Sequence, residues 1–155
     1  MLPMSDQTPP DPRVELFRAL LALGMRMRSA MDRRLAPSGL TTQQAAVLTI
    51  ADAFPSPPTL GEVSRLLGTS HQNTRQICDA LERKGLLEIR VDEHDRRARR
   101  LVPTAAVAEV FADRDADDRA AVRRWTRALD DDEAALVVDL LGRVLVDLDA
   151  FDDAT

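Results

Sequence analysis

The side chains of this chain best suited to chemistry are polar and basic. Ser70, His71, Gln72, Asn73, Arg75 and Gln76 fall within one short span, and Arg96, Arg97, Arg99 and Arg100 within another. Glutamine, asparagine and arginine are the residues that pair bidentately with adenine or guanine edges in a major groove. A cluster of guanidiniums can contact phosphates or enter a minor groove, whose negative potential attracts arginine. Catalysis would need a convergent set of nucleophile, base or metal ligands, and the sequence suggests none. His71 and Cys78 are seven residues apart, roughly 10 Å along a helix, too far to share one metal, and His94 stands in a charged loop. No metal site, cofactor or enzymatic activity is expected. Cys78 is the only cysteine, so no internal disulfide can form. With no second thiol, it reads as a packed small hydrophobe in preference to a redox trigger.

These side chains need a frame, and segment 59–104 supplies one. Thr59-Leu60-Gly61-Glu62 has the T-x-x-E pattern of a capping box, so a short helix begins there. Val63, Leu66 and Leu67 recur at helical spacing, Gly68-Thr69-Ser70 breaks the helix, and Ser70 can cap a second one over roughly 71–84. At 100° per residue, Thr74, Ile77 and Leu81 share a narrow inward arc with Cys78 on its flank. Gln72, Arg75, Gln76, Asp79 and Arg83 share the opposite arc, with Asn73 at its edge. Gly85 occupies the C′ position. Leu87, Ile89 and Val91 alternate with Glu88 and Arg90 as a half-buried strand does, and a second strand is expected at about Arg99–Pro103. Between the strands lies the charged loop 92–98. The plain alternative is a solvated helix face and a soluble hairpin. Helix, glycine turn, helix and basic hairpin in that order favour nucleic-acid reading.

The run SRLLGTSHQNTRQICDALERKGLLE and the pattern D-R-R-x-x-x-L-V-x-T at Asp95–Thr104 resemble the MarR-type winged helix-turn-helix transcriptional regulators. The resemblance implies Ser70, Gln72, Arg75 and Gln76 at the major groove, Arg97 as the wing-tip arginine in a minor groove, and Asp95 bracing the wing. It also implies a homodimer, repression, and an effector that is a small, often aromatic anion or drug-like molecule, held where the first, second and post-wing helices meet. Pro103 departs from the aliphatic residue usual near the end of the last wing strand. Lacking an N–H, it fits only a sheet edge or strand end.

The remaining chain is expected to be helical. In a protein of 155 residues with few aromatics, residues 1–10 read as a flexible arm and 11–155 as a single domain. Asp11-Pro12 starts a helix to about Ala36 whose stripe includes Phe17, Leu21, Met27 and Met31. Met25, Met27 and Met31 could line a deformable apolar region, though core packing is the simpler reading. Thr41-Thr42-Gln43-Gln44 opens a supporting helix with Val47, Leu48 and Ala51 inward, ended by Pro55, Pro57 and Pro58. Beyond the wing, Thr104 is expected to cap a long helix through Ala121, Trp125 and Leu129. A last helix carries Leu136, Val137, Leu140, Leu141, Val144, Leu145, Leu148 and Phe151. One small domain has no obvious cover for this stripe and that of the first helix, which predicts dimerisation through 11–36 and 105–152, with 41–104 as the DNA-binding part.

Net charge is −5, yet residues 105–155 hold fourteen acids against six bases, while 59–104 hold nine bases against seven acids. Global acidity therefore does not exclude DNA. No apolar run approaches the ~20 residues that span a bilayer, and no signal peptide is visible, so a cytoplasmic protein is expected. The fold expected is mainly α with a small β-hairpin wing. The partners expected are double-stranded DNA with a pseudo-palindromic operator, a second copy of the chain and, by the resemblance, a small-molecule effector, with no membrane. The competing reading is a winged-helix module that docks a protein and binds no DNA.

Overall fold

The Asp11 carboxylate accepts the Arg13 N–H at 2.8 Å, and Pro12, whose missing N–H costs nothing at a helix start, opens α1 (Pro12–Leu35). The structure, a computed structural model, describes residues 11–112 and 115–152, except the side chains of 115, 116, 149, 151 and 152. The expected N-terminal arm, and Asp113 and Arg114 of the expected long helix, lie outside the described residues. A single 3₁₀ turn (Ala36–Ser38) follows α1, then α2 (Thr42–Ala53), α3 (Leu60–Leu66) and α4 (His71–Arg83). Strands β1 (Leu87–Val91) and β2 (Arg99–Pro103) form an antiparallel hairpin in which Ile89 faces Leu101 and Leu87 faces Pro103. Pro103 is the last residue of β2, the position a residue without an N–H tolerates. Helices α5 (Ala106–Ala112), α6 (Asp115–Trp125) and α7 (Asp131–Asp152) complete the described chain. It divides into two compact units, Met1–Val110 and Phe111–Thr155.

Both capping boxes form. Thr41 and Gln44 exchange hydrogen bonds at the start of α2, and Thr59 and Glu62 at the start of α3. Asp130 and Glu133 make a third at α7, where the helix dipole also favours acids. The core of the first unit is aliphatic: Leu35, Leu40, Val47, Leu48, Val63, Leu81, Leu87 and Leu101 are all buried. Each such side chain contributes roughly 1.5–3 kcal/mol by leaving water.

Three details differ from the sequence reading. Leu66 is 59% exposed, because α3 has only two turns and its inward arc is filled by Val63 and by Ser64, whose hydroxyl donates to the Leu60 carbonyl. The Thr104 hydroxyl, expected to cap the next helix, donates to the Gly85 carbonyl instead, and it is the Thr104 carbonyl that accepts the Val107 N–H. Met25 is the most exposed of the large apolar residues of α1, not a core residue.

Candidate nucleic-acid interface

Helix α4 owes its placement to bonds at both ends. Gly68 takes φ +59°, the left-handed region where a side chain would be strained, and lets the chain turn from α3 into α4. The Ser70 hydroxyl then accepts the Asn73 N–H at 3.2 Å as the cap. At the other end Gly85, at φ +70°, ends the helix. Lys84 reaches across to the Gly39 carbonyl and to Gln44 Oε1, and Glu82 accepts the Ile89 N–H of β1 at 3.1 Å. Gly61 lets α3 and the start of α4 approach closely: a Cβ there would stand 3.3 Å from Cε1 of His71.

Thr74, Ile77, Cys78 and Leu81 are buried, and the Thr74 hydroxyl is satisfied by the Ser70 carbonyl. His71, Gln72, Arg75 and Gln76 are exposed, the last three on the other side. Arg75 Nε lies 2.8 Å from Asp79 Oδ1, one turn on. Asn73 is half-buried and its amide donates to the Thr69 hydroxyl at 2.9 Å, so two of the six side chains singled out on this helix, Ser70 and Asn73, also hold its first turn.

The wing arginines divide by direction. Arg96 and Arg97 are exposed, and neither guanidinium has a hydrogen bond or ion pair among the described residues. Arg99 folds back, donating to the Arg96 carbonyl at 2.9 Å and the Ala98 carbonyl at 3.3 Å. Arg100 points into the body. The Asp95 carboxylate accepts the Arg97 N–H at 2.9 Å and so shapes the tip.

Sequence reasoning passed over Asp92. Its side chain is 9% exposed; Oδ1 accepts the N–H groups of His94 and Asp95, both at 2.8 Å, and Oδ2 accepts Arg100 Nε. The Arg100 bond above all, with the two backbone donors, holds its carboxyl at about 2, well below the ordinary value of 3.8. An aspartate at the start of a hairpin loop, whose carboxylate can take the backbone N–H two residues on, is an Asx-turn signal that could have marked it. Because the folded value is depressed, the Asp92 anchor stabilises the fold above the ordinary carboxylate pKa and is lost as pH falls from about 4 through about 2. Asp92→Asn is expected to flatten that part of a stability–pH curve measured by acid titration. A curve with an unchanged slope between those pH values would show that Asp92 is not so engaged.

Burial pushes the Cys78 thiol up to about 12, so it stays protonated and unreactive near neutral pH, as a packed hydrophobe does. Among the described residues no group of three or more His, Cys, Asp or Glu side chains is placed to hold a metal. No described helix is long and apolar enough to cross a membrane.

A polar helix tied down at both ends, presented by a short helix–turn unit and flanked by an arginine-bearing hairpin, defines a winged helix-turn-helix protein. The sequence model of the MarR family matches residues 38–98. The transcriptional activatory protein BadR of Rhodopseudomonas palustris is 31% identical over 102 residues, 62% of this chain and 56% of BadR, so the chain spans little more than half the length of that relative. Among solved structures, a MarR protein from Peptoclostridium difficile is similar with a TM-score of 0.80 at 21% identity, covering 97% of this chain and 95% of its own. The transcriptional regulator PA3341 is 30% identical with a TM-score of 0.73, covering 86% of this chain and 98% of its own. Residues 38–98 thus match the MarR family of transcriptional regulators, and the fold of the chain is that of MarR proteins.

Proposed function

We propose that this protein is a sequence-specific regulator that binds a pseudo-palindromic duplex as a homodimer, in the cytoplasm, without catalytic activity. The observation that carries the reading is the row Gln72, Arg75 and Gln76 standing outward from a helix fixed at both ends, beside the exposed guanidiniums of Arg96 and Arg97, which make no bond among the described residues. These residue types read base edges, whereas a protein-docking face shows aromatic or apolar anchors. In this reading Ser70, His71 and Asn73 accompany them at the major groove, Arg97 enters a minor groove, Arg99 stands beside it, and Asp95 braces the wing. The segment 41–104 binds DNA, and 11–36 with 105–152 pairs the chains. Large apolar residues exposed on α1 (Leu16, Phe17, Leu21) and on α7 (Leu136, Leu140, Leu145, Leu148) support the pairing. A small-molecule effector and a repressing sign follow from the family resemblance alone. BadR, named an activator, shows that the sign has to be measured with a reporter. Selection of bound sequences from a random duplex pool tests the whole. Recovery of a two-fold motif is expected, and no duplex affinity even at low salt would favour the protein-docking module.

For the wing, Arg97→Ala is expected to weaken binding most on operators with A·T-rich flanks, where the minor groove is narrow and its potential strongest. The slope of log K against log salt should become shallower by about one unit at most. An unchanged slope with a lowered melting temperature would mean that Arg97 braces the hairpin and reads nothing.

A further inference from the structure

The fourth wing arginine differs from the other three. We propose that Arg100 is a positioning residue that fixes the wing against the start of α3 and makes no contact with DNA itself. Its guanidinium joins three segments. Nε donates to Asp92 Oδ2 at the base of the wing loop, and Nη1 donates to the Pro57 carbonyl at 3.0 Å in the stretch before α3. Nη1 also stands 4.0 Å from Glu62 Oε2, the carboxylate that closes the α3 capping box. The backbone follows the same path, since Thr59 bridges to Arg100 in antiparallel sense and the Leu101 N–H donates to the Pro58 carbonyl at 2.9 Å.

Proline supplies the matching chemistry. Pro57 and Pro58 offer carbonyls without N–H groups, so they can accept from β2 yet cannot extend the sheet. The outer edge of β2 is thereby pinned at Arg100 and Leu101. The two-stranded wing, too small to be stable on its own, takes its angle from that place. A planar fork that donates in two directions to a carboxylate and a carbonyl suits arginine and is poorly reproduced by the single ammonium of lysine. Asp92 completes the anchor, because the carboxylate that receives Arg100 also holds the His94 and Asp95 N–H groups at the start of the tip turn.

Only the functional consequence rests on the proposed DNA binding; the anchoring itself is testable in free protein. Hydrogen exchange of the DNA-free protein should show that Arg100→Ala loses protection at the His94, Asp95 and Leu101 amides, while amides within α4 keep theirs. Duplex affinity should fall by about ten- to a hundredfold, the equivalent of one lost charge-assisted bond. The salt slope should stay that of the wild type, unlike the slope of Arg97→Ala. Asp92→Asn should give the same pattern, and the double variant should lose no more than either single one, as partners in one anchor do. Arg100→Lys should restore affinity only in part. Unchanged protection in Arg100→Ala would overturn the proposal, and so would a slope shallower by about one unit, which would make Arg100 a phosphate contact. If Arg100→Ala fails to fold, Asp92→Asn, nearly isosteric, is judged by the same criteria. Failure of the wild type to bind any duplex would sink the proposed function and leave the exchange result to decide the role of Arg100.

Discussion

Leu145→Asp is expected to turn the proposed dimer into a monomer at micromolar concentration and to weaken operator binding by on the order of a hundredfold, because joined half-sites gain at least that much from avidity. Leu145 is 60% exposed in the single chain, on a helix whose Leu136, Leu140 and Leu148 are exposed as well. Soluble monomers rarely leave so many large apolar side chains of one helix in water. Since water already reaches Leu145, a carboxylate there costs the isolated chain little. In a two-fold interface the same carboxylate would meet its own copy's apolar surface unpaired, which costs several kcal/mol. Melting temperature and DNA affinity should therefore fall together, because one two-fold particle needs both reading heads to hold two half-sites. Sedimentation of the wild type as a monomer at micromolar concentration would refute the pairing, and a charged variant that stays dimeric would place the interface elsewhere.

Arg75→Ala should weaken binding to the selected operator by roughly 1–3 kcal/mol and relax base preference at one position in each half-site, the amount one bidentate base contact carries. Arg75 stands in the middle of the outward row of α4, paired one turn on with Asp79. Both partners of that pair are more than a third exposed, and a helix pair of this kind is worth about 0.3–0.5 kcal/mol. A guanine edge can draw the guanidinium away at small cost. The measurement is affinity across a panel of single-base variants of the operator. A uniform loss on every sequence would make Arg75 a phosphate contact and not a reader.

Much of this architecture is legible in the chain because local rules decide it. Helix starts at Asp11, Thr41, Thr59 and Ser70 follow from side chains that cap their own backbone within three residues. The inward arc of α4 follows from a 100° period, and the hairpin from a period of two. The tertiary structure decides what one side chain does at long range. Neither period nor spacing separates Arg96, Arg99 and Arg100, yet Arg96, like Arg97, makes no guanidinium bond among the described residues, Arg99 curls onto its own loop and Arg100 reaches back 43 residues to a proline carbonyl. Asp92 looked like one loop acid among three until Arg100 and two backbone N–H groups converged on it. Leu66 fitted a helical stripe and lies in solvent, and Thr104 fitted a cap and bonds Gly85. Periodicity reports which residues share a side of an element, but which side meets another element depends on contacts between residues distant in the chain. A side chain with several possible partners is assigned only when folding brings one of them within hydrogen-bonding distance.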